Sequence, residues 1–408
     1  MPMKGMFVPD QRLLFVRSVL EDGLSISAAC RFFEISRPTG YAILRRYNES
    51  GIAGLVDLSR VPHGNSRAVP TEIAKAITDL KASHTTWGPK KLRAKLVAVD
   101  SDTIWPVTST FGRILSSAGL VVPRRRTPSK SPRLGDLTQA EQINEVWCVD
   151  FKGQFFLACG ILCYPLTVTD NYSRYLLRCH GLSATSYDGT CPIMVGAFRE
   201  FGMPFVIRSD NGPPFASAST TGLSRLAVWL IKLGIIPERT DPGSPQQNGR
   251  HERMHRTLKA EAIGPPCHSM RAQQSVFDAW RSEYNDERPH EALDMKTPAS
   301  MYCASNRRFP EQLPNFEYED SILKRQVRPN GCIKWCGHEI FVSETLTGDT
   351  IGIVPVDEYH HLIYAGFLAV AVLDIRAQKL LKSKMAAPYL RDARASLRGW
   401  SQGPAEGQ

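Results

Sequence analysis

The stretch Val146-Trp147-Cys148-Val149-Asp150-Phe151-Lys152-Gly153 places one carboxylate inside a run of apolar, strand-favouring side chains. Such a run predicts a strand over residues 146–156, with a hairpin-like turn near Cys159-Gly160. An unpaired carboxylate buried in a strand is costly, so Asp150 needs a reason to be there. Two further carboxylates supply one. Asp210 closes a predicted strand over 205–209, in Arg208-Ser209-Asp210-Asn211-Gly212, where a side chain reaches the cleft at the strand ends. Glu252 opens a predicted helix after Ser244-Pro245-Gln246-Gln247-Asn248-Gly249. Such carboxylates can hold a pair of Mg²⁺ ions that activate an attacking oxygen and stabilise the leaving oxygen of a phosphodiester. The chemistry they point to is in-line phosphoryl transfer on DNA. Glu252, Arg256 and Lys259 fall at i, i+4 and i+7 and share one helix face. A metal ligand beside two cations suits a scissile phosphate and its neighbours, although the same spacing also suits a solvated face with one ion pair.

Outward from this point, residues 143–305 read as an α/β domain. Strands over 164–169 and 174–182 flank the turn sequence Asp170-Asn171-Tyr172-Ser173. A helix over 186–201, an amphipathic helix over 222–233, a strand over 235–240 and helices over 250–262 and 270–287 complete the pattern. Three antiparallel strands followed by alternating helices and strands predict a mixed sheet. Beyond about residue 320, short strands with turn signals predict a small β-barrel. Upstream, residues 9–50 read as three helices. Ser25 can cap the short second one, and Arg37-Pro38-Thr39 opens the third with Pro in its first turn, where the missing N–H costs nothing. A short helix, a tight turn and a basic helix make a helix-turn-helix. Residues 70–119 repeat the theme. The expected division is a helix-turn-helix domain over 1–66, a second over 67–123, a basic linker over 124–140, the α/β core over 141–305, the barrel over 306–390 and a disordered tail over 391–408.

Charge sorts along the chain. Residues 1–135 hold 21 Lys and Arg against 10 Asp and Glu, whereas the remaining 273 hold 29 against 30. The basic excess lies entirely in the N-terminal third, which predicts a nucleic-acid-binding front end on a near-neutral body. Arg37, Thr39, Tyr41, Arg45 and Arg46 on the third helix are candidate base readers. Lys90, Lys91, Arg93 and Lys95, with Arg124, Arg125 and Arg126 in the Pro- and Ser-rich linker, are candidate phosphate contacts.

With 408 residues and 42% hydrophobic content, the chain has room for two to four cored domains and is neither disordered nor collagen-like. Its ten cysteines are scattered and lack paired CxxC spacing, so reduced thiols are expected. Cys332, Cys336 and His338 offer only three close zinc ligands. The absence of a run of about 18 apolar residues predicts no membrane partner. The first residues, MPMKGMFVPDQRLL, lack a signal core, so the expectation is a cytoplasmic, nucleoid-associated protein.

The motifs form an ordered series: Trp147-Cys148-Val149-Asp150, then Thr169-Asp170-Asn171-Tyr172-Ser173-Arg174, then Ser209-Asp210-Asn211-Gly212-Pro213-Pro214-Phe215, then Ser244 to Glu252. Downstream come Tyr284-Asn285-Asp286-Glu287-Arg288-Pro289-His290 and Thr297-Pro298. The series resembles the DDE recombinases, the bacterial insertion-sequence transposases with a retroviral-integrase-like catalytic core. By resemblance, Asp150, Asp210 and Glu252 are the metal-binding catalytic carboxylates, and the core is RNase H-like. The resemblance further implies two Mg²⁺ ions, for which Mn²⁺ can substitute, and a homo-oligomer on double-stranded DNA. The implied reaction cuts element ends to free a 3′-OH and joins it to target DNA, with the helix-turn-helix units on the terminal inverted repeats. One departure is the 41 residues between Asp210 and Glu252, a longer interval than the family's usual one. The small-residue loop over 216–224 can absorb the excess.

Two other readings stay open on sequence. His251-Glu252-Arg253-Met254-His255 fits the H-E-x-x-H zinc metalloprotease pattern, in which two His hold zinc and Glu is the base. A relative that kept its helix-turn-helix units and lost chemistry would be a DNA-binding regulator. Zinc content discriminates the first, and Mg²⁺-dependent strand cleavage the second.

Overall fold

Three helices, α1 (Val8–Leu20), α2 (Ile26–Phe32) and α3 (Arg37–Ser50), build the first of two compact units, Met1–Val69. The computed structural model describes residues 8–57, 69–121, 137–217, 219, 221–241, 247 and 249–395. Ser25 and Ser36 cap α2 and α3 by accepting the amides of Ala28 and Thr39, and Pro38 sits in the first turn of α3. Phe15, Val16, Ala29, Cys30, Ile43, Leu44 and Leu55 form the core. The helices cross so closely at Gly40 that an added Cβ would lie 2.5 Å from Cys30 Sγ and 2.9 Å from Phe15 Cζ. Gly40→Val is therefore expected to destabilise this unit by at least roughly 1–3 kcal/mol through overpacking. In the full chain, specific DNA binding should be lost while the thermal transition of the larger unit stays in place. Normal binding by the variant would contradict the close crossing.

The second unit, Pro70–Gln408, begins with α4 (Thr71–Ser83), α5 (Pro89–Val99) and α6 (Thr108–Ser117), packed on Ile77, Trp87, Leu92, Phe111 and Leu115. The α/β core follows as β1 (Val146–Phe151), β2 (Phe155–Phe156), β3 (Leu162–Asp170), β4 (Leu176–Leu182), α7 (Tyr187–Phe201), β5 (Val206–Ser209), α8 (Arg225–Lys232), β6 (Ile236–Arg239), α9 (Gly249–Ala262), α10 (Met270–Ser282) and α11 (Pro298–Met301). β3 pairs antiparallel with β1, β2 and β4, while β1, β5 and β6 run parallel, so the sheet is mixed as expected. Alternation along the strands divides its faces. Trp147, Val149, Leu166 and Val168 pack with Phe198 of α7 and Trp229 of α8. Cys163, Leu176 and Cys179 pack on the other side with Met254 and Leu258 of α9 and Phe277 and Trp280 of α10. Asp150 and its cross-strand partner Thr167 lie on the α9 side.

The C-terminal region holds β7 (Leu323–Gln326), β8 (Cys332–Trp335), β9 (His338–Phe341), β10 (Thr350–Pro355), β11 (His360–Ala365), β12 (Leu368–Asp374), β13 (Lys379–Leu380) and α12 (Ser383–Ala395). The expected closed barrel is not what the described strands form. They make an open sheet, β13-β12-β11-β10-β7, beside a β8–β9 hairpin. Closure is unnecessary because other elements finish the core. Ile333 and Ile340 of the hairpin and Ala227, Val228 and Ile231 of α8 cover Ile351, Ile353, Ile363 and Leu373. α8 is consequently buried on both sides, with Leu226, Trp229 and Leu230 turned to the mixed sheet, and is not the one-sided amphipathic helix expected. The tail expected to be disordered from 391 is helical through Ala395, because Ala386, Tyr389, Leu390 and Ala393 pack on Leu362, Ala369 and Val372. Residues 396–408 lie outside the described residues. Among the described residues no helix is long and apolar enough to cross a membrane.

Candidate active site

Two of the three carboxylates lie on or just past neighbouring parallel strands, β1 and β5. The parallel pairing runs Val146↔Val206, Trp147↔Ile207, Cys148↔Arg208, and Asp150 and Asp210 each lie two residues beyond its last pair, Asp210 one residue past the end of β5. Neighbouring strands lie about 4.8 Å apart. The loop after β5 is held by its own motif: Gly212 N donates to Asp210 Oδ1 at 3.1 Å, and Asn211 Nδ2 donates to Thr240 O at 2.6 Å. A Cβ on Gly212 would come within 3.1 Å of Asp210 Oδ2, so a residue without one suits the turn. Glu252 stands in the first turn of α9, exposed, with Arg256 and Lys259 exposed on the same face. Asp150 senses the other two carboxylates. Burial pushes the Asp150 pKa up to about 7, and the charges of Asp210 and Glu252 push the same way, against the Phe151 amide and Lys152. A buried carboxylate with two like charges near it is a site whose charge a divalent cation would neutralise.

Two histidines that flank Glu252 complete the floor. His251 and His255 are buried under α9, and Thr167 Oγ1 lies 2.7 Å from Nε2 of each. His251 Nδ1 lies 3.0 Å from Thr169 Oγ1. His255 Nδ1 lies 3.8 Å from Asp150 Oδ2. Burial lowers both rings' pKa values, His251 to about 3 and His255 to about 2, so both are neutral. Among the described residues, Asp150, His251 and His255 are the one His/Cys/Asp/Glu group close enough to hold an ion together. Sequence reasoning registered the two His only as a possible zinc pair, but both nitrogens of His251 are engaged by threonine hydroxyls. Asp170 is structural. Its carboxylate accepts Asn144 N at 2.8 Å and Ser173 N and Oγ at 2.7 and 2.6 Å. Asn285 likewise braces β4, exchanging 2.8 and 3.0 Å bonds with the Leu176 backbone.

The candidate DNA-contacting residues fall into three groups. On α3, Arg37, Thr39, Tyr41 and Arg45 are exposed, whereas Arg46 is half-buried and donates to Val56 O. On α5, Lys90 pairs with Glu291 at 2.9 Å, Lys95 with Glu287 at 3.1 Å, and Arg93 Nε donates to Pro106 O at 2.9 Å. Burial and the nearby Arg288 guanidinium lower the Lys91 pKa to about 8. The α5 cations therefore also brace their helix and the core. Arg124, Arg125 and Arg126 lie outside the described residues, as does most of the loop before Glu252.

Comparison with known proteins agrees with this architecture. Residues 140–245 and 233–298 match two Integrase core domain families, residues 11–63 a Helix-turn-helix domain and residues 39–115 a Homeodomain-like domain. A 31.7 kDa protein of insertion element IS407 from Burkholderia multivorans is 31% identical over 245 residues, 58% of this chain and 82% of its own length. This chain belongs to the insertion-sequence transposases with an integrase core. The transposase InsD of insertion element IS2 from Escherichia coli is 25% identical over 303 residues, covering 69% of this chain and 92% of its own. Among solved structures, the simian T-cell lymphotropic virus intasome, in complex with a PP2A regulatory subunit, has a chain that matches with a TM-score of 0.35 at 17% identity. The match covers 70% of this chain and 95% of that one. The present transposase is a DNA-binding enzyme of DNA recombination, and the protease reading of its H-E-x-x-H pattern is set aside with that membership.

Proposed function

We propose that this transposase binds the terminal inverted repeats of its element through α3 and cuts and joins DNA ends at Asp150, Asp210 and Glu252. The observation that carries the reading is the field that Asp210 and Glu252 exert on the buried Asp150, with β1 and β5 running side by side toward the two Asp. Carboxylate oxygens at strand ends and a helix turn suit a hard divalent cation such as Mg²⁺, with Mn²⁺ as a substitute and a two-metal arrangement as the reading's finer form. When bound, such ions lower the pKa of an attacking oxygen and offset charge on the leaving one. The chain's own residues do the rest. Asp210 is held by its Gly212 turn, and Arg256 and Lys259 line the exposed face beyond Glu252 to receive flanking phosphates. Lys90, Lys91, Arg93, Lys95 and the linker arginines serve the backbone further away. The reading divides the chain into two helix-turn-helix domains, the core and a C-terminal module built on an open sheet. That module adds DNA or subunit contacts, and two ends are held together by a homo-oligomer in the cytoplasm, on the nucleoid.

Strand transfer on labelled element ends, in Mg²⁺ or Mn²⁺, tests the proposal. Joined products from the wild type that vanish in Glu252→Gln support it. End binding without cleavage by the wild type in either metal would instead mark a DNA-binding regulator. End binding is expected to fall steeply with salt, as phosphate contacts release counterions. Arg45→Ala should lower specific binding by roughly 1–3 kcal/mol while changing non-specific binding little. Equal losses on specific and random DNA would assign Arg45 to phosphate and not to a base.

A further inference from the structure

We propose that His255 supplies a nitrogen donor to the cation held by Asp150, so the metal site is not built of carboxylates alone. The inference rests on the placing of a divalent cation at Asp150 under Proposed function. Its starting point is a count of protons around Thr167. The Thr167 hydroxyl donates to the Asp150 carbonyl oxygen at 3.1 Å and lies 2.7 Å from both His251 Nε2 and His255 Nε2. A hydroxyl has one proton and two lone pairs. With its proton on the carbonyl, it accepts from both rings, and both imidazoles carry their proton on Nε2. His251 then uses its other nitrogen, Nδ1, to accept from Thr169 Oγ1 at 3.0 Å. His255 Nδ1 is left with a lone pair facing Asp150 Oδ2 across 3.8 Å.

An imidazole Nδ1 lone pair and a carboxylate oxygen are both electron-pair donors, and a divalent cation between them would be bound by both. Metal–nitrogen and metal–oxygen bonds of about 2.1 Å allow two donors on one ion to lie up to ~4.2 Å apart, so the observed separation fits. The Thr167 bond to Nε2 is the outer hydrogen bond that typically orients a metal-binding imidazole and fixes its tautomer. α9 delivers both Glu252 and, one turn on, His255 to the same place. A nitrogen donor among oxygens shifts preference from Mg²⁺ toward Mn²⁺ and other borderline ions.

The test is pulsed EPR on the full-length protein loaded with Mn²⁺. Expected is ¹⁴N modulation from a directly bound imidazole, changing to a ¹⁵N pattern when histidine alone is ¹⁵N-labelled; this arm needs no variant. In calorimetry, His255→Ala should weaken Mn²⁺ binding about tenfold or more, and Mg²⁺ binding less. Mn²⁺ binding that Asp150→Asn abolishes, but with no nitrogen coupling in the wild type, would overturn the role of His255 and leave the carboxylate site standing. Mn²⁺ binding indifferent to Asp150→Asn, or no binding, would overturn both this inference and the metal reading beneath it.

Discussion

Asp150→Asn is expected to abolish strand transfer, leave end binding intact and raise the melting temperature of the metal-free protein. The first two effects follow from separation. Asp150 lies in the second compact unit, on β1, whereas the exposed residues of α3 lie in the first. The third follows from charge. Burial, with Asp210 and Glu252 nearby, lifts the Asp150 pKa from 3.8 to about 7. The folded state therefore holds a proton that the unfolded state releases between those values. Stability falls as pH rises from about 4 to 7, and the cost is complete above 7. Such a displacement corresponds to about 4 kcal/mol. Asparagine removes the charge and keeps the shape, so it should recover much of that amount at pH 8 and little at pH 4. Divalent cation should raise the wild-type transition, by binding the folded state alone, and not that of the variant. An unchanged or lower transition at pH 8 would contradict the repulsion argument. Lost end binding would mean the change unfolds more than the site, and retained strand transfer would remove Asp150 from the chemistry.

What the sequence made legible was local. Asp150 and Asp210 stood out because strand patterning and an Asp-Asn-Gly turn are read over a few residues, and Ser36 and Pro38 marked the start of α3 for the same reason. The function of the histidines was not legible. Their i, i+4 spacing tells which helix face they share and says nothing of what that face meets. Their partner Thr167 lies 84 residues before His251. Barrel closure failed as an expectation on similar grounds. Strand signals are local, while the decision to leave the sheet open depends on α8, which comes before it in the chain and covers its core. α12 was hidden by Pro388 within it and by a sparse apolar pattern that matters only once Leu362 and Val372 lie opposite.

Glu261 is the clearest case of a residue silent in sequence and consequential in the fold, and Glu261→Gln is expected to destabilise the second unit by roughly 3–5 kcal/mol. Nothing in the local sequence Lys259-Ala260-Glu261-Ala262 sets it apart. In the structure its carboxylate accepts from the Thr86 hydroxyl, from Trp280 Nε1 at 2.7 Å and from Arg288. Burial pushes its pKa up, but the Arg288 charge and these hydrogen bonds outweigh burial and leave it lowered. Arg288 is 3% exposed and stacks over Trp87 and Tyr284 at 5.6 and 5.9 Å. Trp87 in turn stacks on His84, whose Nδ1 lies 3.0 Å from Glu283 Oε1. One ion pair thus ties the turn between α4 and α5 to α9, the helix that carries Glu252. Glutamine leaves the Arg288 guanidinium buried without a counter-charge, which is the source of the large cost. Arg288→Ala strands Glu261 instead, and the double variant should cost less than the sum of the two, since the residues share one interaction. Because the Glu261 pKa is lowered, its contribution is present above the ordinary Glu range and is lost as pH falls through the folded value. Thermal unfolding and protease cutting within 84–89 read both effects. A Glu261→Gln change below about 1 kcal/mol, or additive single variants, would show that apolar packing around Trp87 alone holds this junction. The strand-transfer rate would then be indifferent to Glu261, whereas a working ion pair makes the placement of Glu252, and with it the rate, depend on a residue more than two turns further along the same helix.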